Sequence, residues 1–154
     1  MNHRYEATVE WRAGGGEAFA TRRYSRAHSW RFDGGVTVPA SSSPLVVPLP
    51  LSDAAAVDPE EALVASLASC HKLFFLDLAS RKGLDLAAYV DRAVGEMGKR
   101  DDGKIAMLAV VLHPQASFVG EADPALVVDL HHQAHALCYI ANSMNFPVTV
   151  EPVQ

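Results

Sequence analysis

Cysteine is scarce in this chain: two residues, Cys70 and Cys138, among 154. They stand 68 positions apart, so there is neither a disulfide framework nor a CxxC redox motif. If folding brings such a pair together in a reducing compartment, it is more often catalytic than structural. Concentrated positive charge is also missing. The net charge is -5 and no cluster of Lys and Arg offsets it, which disfavours a nucleic-acid surface because phosphate binding needs gathered cations. The longest apolar run, Ala62 to Cys70, stops at His71 and Lys72 and is too short to span a bilayer. The first residues, MNHRYEATVEWR, are charged throughout and lack the apolar stretch of a secretory signal. Neither an internal repeat nor a linker is visible. The expectation is one soluble, cytoplasmic domain over 1–154, with small molecules or protein as partners and neither nucleic acid nor membrane among them.

What is present suffices for a core, with 49% hydrophobic residues and 20% charged. Alternation over His3 to Trp11 predicts a strand, and Glu17 to Phe32 one or two more, ending at the turn Asp33-Gly34-Gly35. Val36 to Pro50 carries four prolines, which forbid a central strand and favour an edge or loop path. At Asp58-Pro59-Glu60-Glu61 a cap, a proline at the first helical position and a capping-box glutamate open a helix that Gly83 stops. Between these limits it is apolar on nearly every side, so it is expected to be buried. Leu86 to Met97 and Lys104 to His113 read as two strands around Arg100–Gly103. Asp123-Pro124 opens a second helix to about Asn142, and Phe146 to Val150 closes as a strand. The order predicts an α+β domain, helices laid on an antiparallel sheet.

Both cysteines fall on the predicted helices, far from their caps, and are expected deep inside. Buried cysteine is commonly a small hydrophobe. To act as a nucleophile it must ionise, and since a free thiol does so only near ~8.5 and later when buried, a cation must be close. His131, His135 and Cys138 share one helix face at i, i+4, i+7, with Cys70 and His71 as further candidates, so a zinc site is weighed. It is set aside because a ladder on one helix is weaker than paired knuckles.

Asp58-Pro59-Glu60-Glu61-Ala62-Leu63, Ala65-Ser66-Leu67-Ala68-Ser69-Cys70-His71 and Ala134-His135-Ala136-Leu137-Cys138-Tyr139-Ile140-Ala141-Asn142-Ser143 resemble the two cysteine motifs of the OsmC-like family, which includes the organic hydroperoxide resistance proteins. Tyr24 to Gly35 and Val38 to Pro44 resemble a subgroup of that family. The resemblance implies an OsmC-like α+β fold, with antiparallel sheets on two central helices in an intertwined homodimer, active sites at the subunit interface. It implies a thiol peroxidase for organic hydroperoxides, without cofactor or metal, in defence against oxidative stress. Cys70 would attack, Cys138 would resolve the sulfenic acid as a disulfide, and a dithiol, lipoyl groups included, would be the reductant. Glu60, ten residues before Cys70, matches the family's glutamate. Arg26 is favoured as its arginine, with Arg12 and Arg31 as rivals. The alternative is a non-catalytic homologue that binds a small apolar ligand.

Ten helical residues rise about 15 Å, so Glu60 and Cys70 on one unbroken helix cannot share a site within one chain. Either the helix breaks or a second chain supplies the glutamate. Leu67, Phe74 and Phe75 are expected as apolar walls around the thiol.

Overall fold

The computed structural model describes residues 2–15 and 19–153. The chain forms two compact units, Met1–Ala62 and Leu63–Gln154. The first holds an antiparallel meander, β1 (Ala7–Glu10), β2 (His28–Phe32) and β3 (Thr37–Ala40), in that spatial order. Val9 pairs with Trp30 and Trp30 with Val38. The β2–β3 turn falls on Asp33-Gly34-Gly35 as expected. The Asp33 carboxylate accepts from Gly34 N–H at 2.8 Å, and Gly35 takes φ 87°, which a side chain would resist. Pro39 sits on β3, an edge strand, where a missing N–H costs no ladder bond. Beyond it Val57 N–H donates to Pro39 O and Ser41 N–H to Val57 O, closing the proline-rich loop back onto that edge. The expected first strand is shorter than its alternation suggested, and Gly16 and Glu17 lie outside the described residues.

The second unit is organised by α1 (Pro59–Arg81), which begins in the first. Its start is a reciprocal capping box: Glu61 N–H donates to the Asp58 carboxylate at 2.7 Å, and Asp58 N–H to the Glu61 carboxylate at 3.3 Å. Gly83, at φ 74°, ends it. By length and composition alone α1 could cross a bilayer, but its buried residues are spent on two protein cores. Leu67 packs with Val110 and Leu112 of a three-stranded sheet, β5 (Val94–Lys99), β6 (Ile105–Leu112) and β8 (Val148–Val150). Phe75 and Ala79 pack with Leu130 and Ala134 of α2 (Pro124–Leu137) over a two-stranded sheet, β4 (Leu86–Asp91) and β7 (Pro114–Phe118). One helix about 35 Å long thus serves both sheets, and Cys70 and His71 lie where it passes from one core to the other.

Two expectations are corrected. Leu86 to Met97 is two strands in different sheets, because the Asp91 carboxylate turns to accept the His113 N–H at 2.8 Å and ends β4. The sheets are not wholly antiparallel: β8 pairs with β6 in parallel, the return between them carried by β7 and α2. Only Leu67, His71, Phe75 and Ala79 of the long apolar helix are fully buried in the single chain, while Leu73 remains 60% exposed.

Candidate functional site

Cys70 lies one position before His71 on the i, i+4 face that α1 buries, so it is half-buried rather than deep inside. Cys138 is not inside a helix either. It is the C-cap of α2, its ψ of 109° turning the chain out of the helix and its N–H donating to His135 O. A short 3-10 turn, Ala141–Ser143, follows, and Ala141 N–H donates to Cys138 Sγ at 3.4 Å. Cys138 is fully buried. The two thiols are free and adjacent. Burial above all, and then the Cys70 sulfur beside it, pushes the Cys138 thiol up to about 11. No cation acts on it among the described residues. The edge-on contact of Phe74 with Tyr139, 4.9 Å between centroids, pins the two cysteine segments to each other.

Leu67 and Phe75, expected as walls of the thiol pocket, are instead fully buried core. The position that carries most unexplained chemistry is a histidine pair that the sequence offered only as metal ligands. His71 and His131 are both buried, with Nε2 of the first and Nδ1 of the second 3.0 Å apart. The His131 ring stacks on Phe75 at 4.0 Å. Burial, with positive charge on His135 adding to it, pushes His71 down to about 4. Burial likewise pushes His131 down to about 4, with charge on His71 and His132 adding to it. Both rings are therefore neutral at pH 7 and one donates to the other. His131 thus leaves the helix-face ladder weighed for zinc, and no three His, Cys, Asp or Glu are grouped to hold a metal ion among the described residues. The sequence signal was there, in the i, i+4 spacing of His131 and His135 and the position of His71 beside Cys70. It pointed to ligands where the fold makes a buried hydrogen bond.

Arg26 and Glu60 come together in the first unit, lining a cavity of about 440 Å³ with Trp11, Phe19, Tyr24 and His28. The Arg26 guanidinium lies over the Tyr24 ring, 3.8 Å from its centroid, and Nη1 donates to the carbonyls of Arg22 and Tyr24. Its main-chain N–H donates to Leu51 O at 2.8 Å, which fixes the residue just before β2. Glu60 is the second residue of α1, where the helix dipole favours a carboxylate. The rivals are placed elsewhere: Arg12 is paired with Glu10 at the surface, and Arg31 is exposed on β2 and absent from this cavity. The helix joining Glu60 to Cys70 is unbroken, which removes the first of the two explanations for their spacing.

The OsmC-like protein family model matches residues 52–153. A solved OsmC-like protein of unknown function from Vibrio cholerae is 46% identical, covers 99% of this chain and 100% of its own, and superposes with a TM-score of 0.95. At 17% identity, an organic hydroperoxide resistance protein from Elizabethkingia anophelis covers 99% of each chain with a TM-score of 0.71. The organic hydroperoxide resistance protein OhrB of Bacillus subtilis is 19% identical, covers 98% of each, and gives a TM-score of 0.66. These last two share the fold. No curated protein matches the chain. With the family model spanning about two thirds of the sequence and both cysteine segments inside it, this chain belongs to the OsmC-like family.

Proposed function

We propose that the protein is a two-cysteine thiol peroxidase that reduces organic hydroperoxides with electrons from a dithiol. The observation that carries this reading is the adjacency of the free thiols Cys70 and Cys138. Cys138, held near 11, is protonated at neutral pH and a poor first nucleophile, whereas Cys70 is the more exposed of the two. The Cys70 thiolate attacks the outer peroxide oxygen. The O–O bond breaks, the alkoxide leaves and is protonated to the alcohol, and Cys70 becomes a sulfenic acid. The Cys138 sulfur then attacks the Cys70 sulfur, water is lost and a disulfide forms. A dithiol, lipoyl groups included, reduces that disulfide by exchange. The names of the Elizabethkingia and Bacillus relatives support the substrate class.

Arg26 and Glu60 enter this reading from a second copy of the chain in a homodimer. Glu60 cannot reach Cys70 along its own helix, and an isologous partner brings each cavity to the other chain's thiols. There the guanidinium stabilises the thiolate and orients the peroxide oxygen.

Thiol counting tests the whole scheme. One equivalent of cumene hydroperoxide should consume both thiols of the reduced protein and form one intramolecular disulfide, and excess dithiothreitol should restore them. If both thiols survive while the protein binds the corresponding alcohol, it is a binding protein rather than a peroxidase.

A further inference from the structure

His28 lines the same cavity as Arg26 and Glu60, where a histidine invites the reading of an acid or a base. The bonds around its ring exclude that. The Trp30 indole N–H, which can only donate, meets His28 Nε2 at 3.0 Å, so Nε2 is an unprotonated acceptor. The one ring proton is therefore on Nδ1, 2.8 Å from the Arg26 main-chain oxygen, and is donated to it. Neither nitrogen has a lone pair or a proton left for a substrate.

What this chain of bonds fixes is Arg26. Residues 23–27 belong to neither strand nor helix, so no ladder holds them in place. His28 and Trp30, by contrast, stand on β2, the first in register with Ala40 and the second with Val9 and Val38. Two residues apart on one strand, their side chains share a face of the sheet. The Arg26 N–H is tied to Leu51 O at 2.8 Å and its C=O to the His28 ring, so the main chain is held on both sides of the Cα. From there the guanidinium reaches the Tyr24 ring and the carbonyls of Arg22 and Tyr24. A long side chain on an untethered loop would spread its charge over many positions, and a cation serves a site only as far as its supporting groups hold it. We propose that His28, locked in the Nδ1–H form by Trp30, is a positioning residue that anchors Arg26 to the sheet and so holds its guanidinium in the cavity. That the guanidinium then serves the Cys70 thiolate rests on the peroxidase reading above.

Nitrogen magnetic resonance of the full-length reduced protein tests the anchor without turnover. His28 should show the Nδ1–H tautomer, and Trp30→Phe should release it to a mixture of the two. The Arg26 Nε–H should be as ordered as the main chain in the native protein and lose that order in His28→Leu. In His28→Asn, whose amide nitrogen donates from about where Nδ1 does, the order should return. An Nε2–H tautomer in the native protein, or an ordered Arg26 Nε–H in His28→Leu, overturns the proposal. Loss of order in both variants alike does so too, since it marks a packing role. Iodoacetamide alkylation of Cys70 carries the test to the site. His28→Leu should slow it about fivefold, the worth of one hydrogen bond, and slow it no further in an Arg26→Ala background. Equal slowing in both backgrounds means that His28 acts by another route, and overturns the proposal again. If alkylation ignores both residues while the Nε–H loosens in His28→Leu, the anchor stands and the arginine's part in the peroxidase reading falls. Hydroperoxide consumption with the Nε–H order intact in His28→Leu does the reverse.

Discussion

Each cysteine of the pair has a surface that suits one role. Cys70→Ser should abolish hydroperoxide consumption, because the buried, protonated Cys138 is left as the only thiol. Cys138→Ser should keep one oxidation per chain, trapped by a sulfenic-acid reagent such as dimedone, and lose dithiol-driven turnover. Equal and mild losses from the two substitutions would return both residues to packing. Arg26 makes a second test at this scale. Arg26→Ala should slow alkylation of Cys70 by iodoacetamide and its oxidation by hydroperoxide together, by roughly tenfold, since the two reactions share the thiolate. If both rates hold, the role passes to Arg12 or Arg31. Cys70, Cys138 and Glu60 were legible in the sequence because they sit in dense motifs on or beside strongly signalled helices. The clustering of the Trp11, Phe19 and Tyr24 rings was not, since no motif or periodicity in the sequence places the three together.

Among the elements, α1 is written most plainly in the sequence and most exposed to single changes at its ends. Asp58→Ala removes the acceptor of the Glu61 N–H and should cost about 1 kcal/mol, read as a lower midpoint in urea. The end of α2 was harder to read. Ala136 to Ser143 contains no glycine or proline, and the helix stops because Cys138 turns out and its sulfur and carbonyl take the Ala141 and Asn142 N–H groups. β4 and β5 ran together for the same reason, as only the Asp91–His113 contact, distant in sequence, divides them. The histidine pair between α1 and α2 gives this scale its pH dependence. An unfolded imidazole takes a proton near ~6.5, and the folded ones resist it until about 4. Between those values the unfolded chain binds more protons, so stability falls as pH drops. Denaturation midpoints should be level above pH 7 and decline from 6.5 to 4. His71→Gln, which cannot be charged, should flatten part of that decline.

For the whole molecule, the single chain covers few residues of an apolar helix of 23, and a second copy is the simplest cover. The unfolding midpoint should therefore rise with protein concentration. Two inactive variants, Glu60→Ala and Cys70→Ser, should recover activity when unfolded and refolded together, because a mixed dimer holds one intact pairing of cavity and thiols. If each is inactive alone and the refolded mixture stays inactive, the shared arrangement is wrong. A monomer with full activity would remove the dimer as well. The contact between His71 and His131 has one more consequence. Its proton sits between two rings, out of reach of bulk water, so its exchange with solvent should be slow enough to leave a separate downfield imidazole signal in proton magnetic resonance. The Phe75 ring stacked on His131 at 4.0 Å should shift the neighbouring carbon-bound protons upfield. Those two signals form an intrinsic gauge of whether α1 and α2 are clasped, readable in the intact protein without any label, through oxidation, reduction or the approach of a partner.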